Sequence, residues 1–166
     1  EKQGIKGLVI DLRGNPGGLL ETAVDLVSRF VEDKVVVKMR GRGSREEVAK
    51  TYVGQVRKWA YPIVILINED SASASEIFAG VMREYKLATL VGEHSYGKAS
   101  VQNVRMLVDG ASAKVTIARY YLPGGEDISR KVDADGTYVD GGLKPDVVAK
   151  LEELEGTETI TFGDPK

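Results

Sequence analysis

Apolar residues recur along the chain in two periods, and the alternation between them outlines the architecture. Short apolar runs at residues 7–13, 34–40, 48–53, 62–67 and 88–92 are bounded by Gly, Pro, Asn or charged residues and read as strands. The run at 62–67 holds four β-branched residues, Ile63, Val64, Ile65 and Ile67, and reads as a fully buried strand. Two stretches follow a helical period instead. Leu19, Leu20, Ala23, Val24, Leu26, Val27, Phe30 and Val31 mark an amphipathic helix ending near Asp33. Ile77, Phe78, Val81, Met82 and Tyr85 form one face of a second helix.

The later half is richer in strands. Segments 101–108 and 113–121 flank Asp109-Gly110, a hairpin signal, and a second hairpin is expected around the glycines at 41 and 43. Residues 127–142 are polar and read as an irregular surface loop, after which 141–148 returns to the core as a short late strand. Trp59 and Tyr61, ahead of the strand at 62, read as packing residues. Strand–helix alternation followed by a strand-rich half predicts an α/β fold with a mixed sheet. One domain spans residues 1–150 and a tail spans 151–166.

Composition adds boundaries to this picture. The 166 residues are 42% apolar and 29% charged, the balance of a globular domain with a sizeable core. A net charge of −2 without long runs of one sign gives no basis for a nucleic-acid partner. The absence of cysteine excludes a thiol nucleophile, a disulfide frame and a thiolate metal site. No stretch approaches the ~18 consecutive apolar residues of a membrane helix, and no signal peptide is visible. The chain opens at Glu1 rather than Met, so the expectation is a piece of a longer protein.

The chemistry concentrates at the turns after strands. Ser71-Ala72-Ser73-Ala74-Ser75 lies between the strand at 62–67 and the second helix. Small residues let a ligand approach the backbone there, and the first N–H groups of a helix have no partner within it. A serine so placed has its hydroxyl beside donors suited to an oxyanion. The same residues fit another reading, because Ser73 and Glu76 match the S-x-x-E capping box. Gly14-Asn15-Pro16-Gly17-Gly18 repeats the strand–turn–helix unit, either as an anion-receiving turn or as a plain tight turn.

A serine nucleophile needs a base. His94 is the single histidine, and an exposed loop histidine is the simpler reading of it. Lys98 is the other candidate, provided that desolvation lowers its pKa from ~10.4 towards ~7–8. Residues 92–98 also match G-x-x-x-x-G-K, but Ala99 stands where a P-loop needs Ser or Thr, and strand-like residues follow instead of a helix. A nucleotide site is therefore rejected. One histidine and no paired carboxylates at ligand spacing likewise give no metal site.

Three long motifs, in order, carry a family resemblance: Asp11-Leu12-Arg13-Gly14-Asn15-Pro16-Gly17-Gly18, then Asn68 with Ser71 to Glu76, then Gly92-Glu93 with Gly97-Lys98, Ser100-Val101-Gln102. Ala118-Arg119-Tyr120-Tyr121 with Pro123, and Gly142 to Val148, resemble later markers of the same family. Together they strongly resemble the carboxyl-terminal processing, or tail-specific, proteases over residues 4–148.

That resemblance implies a ClpP/crotonase-like α/β core with repeated strand-strand-helix units, truncated here at its N-terminus. It implies a serine endopeptidase cleaving near the carboxyl terminus of proteins through a Ser-Lys acyl-enzyme. Ser73 would be the nucleophile and Lys98 its base, at the family's separation of 25 residues (98 − 73). Gln102 would help to hold the lysine. Backbone N–H groups of Ala74 and of Gly17 or Gly18 would receive the oxyanion. Ser71 and Ser75 would serve the turn and helix start, while Asp11 and Arg13 would shape the strand end. No cofactor is implied. Partners would be unstructured carboxyl-terminal tails and a PDZ domain of the full-length protein, absent from this chain together with a strand and a helix of the core; homo-oligomerisation stays open. The implied setting is extracytoplasmic: periplasm, cell envelope or thylakoid lumen. Ala99 departs from the usual Gly after the catalytic lysine, where an added methyl is tolerated only at negative φ. The alternative is a non-catalytic peptide- or ligand-binding module on the same fold.

Overall fold

The computed structural model describes residues 4–41, 43, 46–57 and 60–150. Trp59 and the tail from Glu152 lie outside the described residues. The first half runs β1 (Leu8–Asp11), α1 (Leu20–Ser28), β2 (Val35–Gly41), β3 (Glu47–Lys50), β4 (Ile63–Ile67), α2 (Ala74–Glu84) and β5 (Thr89–Gly92). The second half adds β6 (Ser100–Met106), β7 (Ser112–Tyr121), β8 (Lys131–Val132), β9 (Tyr138–Asp140) and β10 (Val147–Val148).

The parallel and antiparallel pairings anticipated for a mixed sheet are divided between separate sheets. One four-stranded sheet is parallel, in the order β1-β4-β5-β10, a second is antiparallel, in the order β3-β2-β7-β6, and β8 and β9 form a separate two-stranded ribbon. β4, α2 and β5 form a strand–helix–strand crossover, with Ile65 beside Leu90 and Ile67 beside Gly92. β1 lies on the other side of β4, with Ile10 beside Ile65. Both expected hairpins form, β2 with β3 and β6 with β7.

Helix α2 is the centre of the core. Residues Ala74 to Met82 are all buried, a wider arc than the single apolar face that the sequence suggests. The reason is that α2 is enclosed on several sides: α1 packs on one, with Phe30 just beyond its end meeting Phe78 at 6.0 Å between ring centres, and the 122–143 segment on another. At Gly80 that segment packs directly on the helix, where a Cβ would meet Leu122 Cδ1 at 2.6 Å. The buried side chains of this helix join the core cluster together with residues of both four-stranded sheets.

Three sequence expectations need correction. β4 is not buried on both faces: Ile63, Ile65 and Ile67 are buried, whereas Val64 and Leu66 are half-buried on a second sheet face that the described residues cover only in part. α1 stops at Ser28, short of Asp33, because the Phe30 and Val31 N–H groups both turn back onto Val27 O and Asp33 takes φ +51°. Residues 127–142 are not a bare surface loop. They form the β8–β9 ribbon, bury Ile128, and are tied to the preceding loop by Arg130 N–H donating to Gly97 O at 2.8 Å. One buried isoleucine in a polar stretch leaves little periodic signal to find.

Candidate active site

In open α/β sheets the loops beyond the carboxyl ends of the strands form the ligand-binding crevice. Here β1, β4 and β5 are adjacent and parallel. The loop after β1 carries Gly17 and Gly18, the loop after β4 carries Ser73, and the loop after β5 carries Lys98. Residues spread over 81 positions of sequence (98 − 17) thus come to one end of one sheet.

The Ser73 turn is built by short-range polar contacts. Ser71 Oγ donates to Leu12 O at 2.7 Å and accepts Asn68 N–H at 3.0 Å, fixing the turn to the end of β1. Asn68 Oδ1 accepts Gly14 N–H at 2.9 Å, and Ala72 N–H donates to Asn15 O at 3.0 Å. Ser71 is therefore a turn residue, as expected. Between these anchors Ser73 takes φ +56°, ψ −118°, a conformation that L-residues avoid. Holding a serine there costs about 1–3 kcal/mol, and such strain collects at functional sites. This places Ser73 on a sharp strand-to-helix turn at the head of α2.

The glycine turn backs directly onto Ser73. Gly17 has φ +91°, and a Cβ there would lie 2.5 Å from Ala72 O and 2.7 Å from Ala74 N. Only a residue without a side chain permits that approach. The Gly17 N–H is engaged by Asn15 Oδ1 at 2.9 Å, whereas the N–H groups of Gly18 and Ala74 have no partner among the described residues. Of the two glycines considered as oxyanion donors, Gly18 is the one whose N–H is unengaged.

Ser73, Ala74, Gly18, Lys98 and Gln102 all line one cavity of about 550 Å³, together with Ile77, Lys114 and Tyr120. Gln102 stands on β6, four residues beyond Lys98. Among the described residues no hydrogen bond joins Lys98 Nζ to Ser73 Oγ. His94 is elsewhere: its Nδ1 lies 3.3 Å from Tyr138 Oη, and it borders a different cavity with Arg130 and Glu93. A Ser73–His94 pairing is excluded by that placement. Ala99 has no positive φ, so its methyl group is accommodated without backbone strain. The glycine that the loop requires is Gly97, at φ +87° with Arg130 N and Gly142 N each within 2.9 Å of a built Cβ.

Residues 1–149 match the family described as peptidase family S41. The chain belongs to that family. It is 36% identical over 99% of its length to the carboxy-terminal processing protease CtpA of Bacillus subtilis, covering 34% of that protein. It is 38% identical over 99% of its length to the carboxyl-terminal-processing protease of Synechocystis, covering 36% of it. Among solved structures, the photosystem II D1 C-terminal processing protease superposes with a TM-score of 0.76 at 34% identity, over 90% of this chain and 36% of the other. The chain therefore spans about a third of the length of these relatives. Mature CPAF, at 15% identity and a TM-score of 0.62, shares the fold.

Two residues of this S41 chain have larger parts in the site than the sequence suggests. Glu76 reads as the partner of a capping box, and that pairing with Ser73 is present. Its carboxylate, fully buried, does more. Oε2 accepts Ser73 N–H at 2.8 Å and Lys98 N–H at 2.9 Å, while Oε1 accepts Ser95 Oγ at 2.5 Å and Gly97 N–H at 2.7 Å. One side chain thus fixes the serine turn and the lysine loop to each other. The signal available in sequence was the S-x-x-E spacing, which shows the local bond but not the three long-range ones. Tyr120, known from sequence only as part of a motif, is buried with its hydroxyl donating to Lys98 O and adjoining Ser73. Burial, and then the nearby Glu76 charge, raise the phenol's pKa well above its ordinary value, so it stays protonated. At the rim, the Arg13 guanidinium donates to both oxygens of the Asp11 carboxylate, at 2.9 and 2.7 Å, and lowers that carboxyl's pKa. This pair braces the end of β1.

Proposed function

We propose that the protein carrying this chain is a serine endopeptidase of the carboxyl-terminal processing type, with Ser73 as nucleophile and Lys98 as base. The observation that carries the reading is the strained Ser73 backbone, φ +56°, at a helix start where unengaged N–H groups and a lysine share its cavity. A capping serine has no need of positive φ, since ordinary caps sit in the β region.

In this reading a flexible polypeptide enters the 550 Å³ cavity with its scissile carbonyl over Ser73. The Lys98 amine accepts the hydroxyl proton as Ser73 Oγ bonds to the carbonyl carbon. The carbonyl electron pair moves onto oxygen, which is received by the N–H groups of Ala74 and Gly18. The C–N bond then breaks, and the lysine ammonium gives its proton to the departing amine. Water attacks the resulting ester, its proton passing to Lys98 and on to Ser73. Gln102, lining the same cavity, orients the lysine amine. Glu76 and Tyr120 hold the backbone of the lysine loop while this happens.

The substrates, in this proposal, are proteins with unstructured carboxyl-terminal tails, as the names of the relatives suggest. A PDZ domain elsewhere in the protein and an extracytoplasmic setting belong to the same proposal. No helix among the described residues is long and apolar enough to cross a membrane.

The test is mass-spectrometric analysis of an unstructured peptide with an apolar tail after incubation with the native protein. Ser73→Ala and Lys98→Ala versions should each lose cleavage by at least about 1,000-fold, on the scale seen for removal of members of a catalytic set. Unchanged cleavage by Ser73→Ala would end the proposal. Peptide binding without any cleavage by the parent would favour the binding-module alternative.

A further inference from the structure

Among the described residues, the cavity that holds Ser73 is lined by three charged side chains: Lys98, Glu21 and Lys114. The reaction uses Lys98. Glu21 lies in the first turn of α1, where a carboxylate is favoured by the unpaired N–H groups of the helix. Lys114 has no such reason for its position. It is exposed on β7, and its side chain makes no hydrogen bond, ion pair or ring contact among the described residues.

Glu21 and Lys114 belong to different walls. Glu21 lines the cavity with Leu19 and Leu20 of the α1 wall, and Lys114 lines it with Ser100 and Gln102 of the β6–β7 wall. β6 begins two residues after Lys98, so this second wall leads away from the base. The nitrogen of the scissile bond must lie at Lys98 to receive its proton, while the carbonyl oxygen faces the Ala74 and Gly18 N–H groups. The chain beyond that nitrogen, which runs to the substrate's carboxyl end, is therefore delivered to the β6–β7 wall. Lys114 pairs with Val104, four residues past the start of β6 at Ser100 (104 − 100), or about 14 Å along the strand. An extended substrate covers that length with about four residues.

We infer that Lys114 anchors a carboxylate on the leaving side of the substrate, about three or four residues after the bond that is cut. This rests on the serine–lysine reading above. A carboxylate at the β6–β7 wall meets a cation that no acid in the cavity already occupies, whereas at the α1 wall it meets Glu21. The two charges thus give the cavity a direction, and the walls of a cleft concentrate such a field. The free end of a short tail carries this carboxylate. An Asp or Glu side chain at the same distance from the cut presents the same group. Lys114 would in this way measure how far the reacting bond lies from a negative charge, a task for which neither Ser73 nor Lys98 is placed.

The experiment uses the native protein and peptides that are identical on the acyl side. They carry two, four or eight residues after the bond cleaved and end in a free carboxylate or an amide. At four residues the parent should favour acid over amide by about 5- to 10-fold in kcat/KM, the scale of one ion pair in a cleft, and by less than about twofold at two or eight. Lys114→Gln should bring the four-residue ratio to about 1, Lys114→Glu should take it lower, and Lys114→Arg should keep most of it. An amidated peptide with Asp as the fourth residue separates the two sources of the carboxylate. Cleavage like the acid, with the same dependence on Lys114, shows an anchor for either source, and cleavage like the plain amide shows one for the chain end alone. Equal rates for acid and amide in the parent, or an acid preference that survives in Lys114→Gln, would overturn the anchor while Ser73-dependent cleavage leaves the protease reading intact. Cleavage that survives Ser73→Ala, or none at all, would overturn both together.

Discussion

Replacing Glu76 by Gln isolates what the buried carboxylate contributes, because the shape is kept and only the charge and one acceptor are lost. Four donors converge on its two oxygens, three of them backbone N–H groups. In the less damaging orientation the new amide nitrogen takes the Oε1 place. There the Ser95 hydroxyl can reverse and accept from it, since a hydroxyl has two lone pairs and this one already accepts Leu143 N–H at 2.6 Å. Gly97 N–H is then left facing another donor. One orphaned buried N–H costs about 1–3 kcal/mol, and the remaining bonds to a neutral oxygen each lose roughly 1 kcal/mol of charge assistance. Relief from burying a charge offsets part of this, leaving a net loss of about 2–4 kcal/mol. In urea unfolding the midpoint should fall by about 1–2 M. Cleavage should fall further than stability, by about 100-fold or more, because the serine turn and lysine loop lose their shared tether and small misplacements are costly. A midpoint within about 0.2 M of the parent, with unchanged cleavage, would refute the reasoning.

Other expectations follow from the same contacts. Gly17→Ala forces a side chain against Ala72 O and Ala74 N at positive φ, so it should destabilise by more than about 1 kcal/mol in chemical denaturation and sharply slow cleavage. Ala99→Gly should leave cleavage within about twofold of the parent and cost about 0.5–1 kcal/mol of stability, because φ at 99 is not positive and glycine only adds freedom to the unfolded chain. Tyr120 has a folded-state pKa above its unfolded value near 10, so its contribution is intact below pH ~10 and is lost as pH rises beyond that. Denaturation midpoints between pH 8 and 11 should therefore fall less steeply for Tyr120→Phe than for the parent, and equal slopes would contradict its burial as a neutral phenol.

The sequence reveals the parts of this molecule that depend on local periodicity. The apolar run at 62–67, the helix after Ser73 and the hairpin at Asp109-Gly110 are all set by neighbours in the chain, and each forms close to its expected place. Ser73 and Lys98 stood out because small flanking residues, a turn and a motif coincide at each. What sequence could not show depends on distant residues meeting. Ile128 is buried where its backbone lies against Gly97, and the antiparallel four-stranded sheet depends on β2 pairing with β7, as Arg40 does with Arg119 across 79 positions (119 − 40). The role of Glu76 is similar. Its local capping bond is written in the S-x-x-E pattern, but its bonds to Ser95, Gly97 and Lys98 exist only once β5 lies beside β4.

The central claim is that Lys98 activates Ser73 for covalent attack. The most direct measurement is labelling by a peptidyl phosphonate that mimics a substrate tail, with the modified residue located by mass spectrometry. The native protein should carry one adduct, on Ser73, and Lys98→Ala should label at least about 100-fold more slowly, as expected for loss of general-base assistance. An adduct on any other residue, or equal labelling rates in parent and Lys98→Ala, would contradict the account.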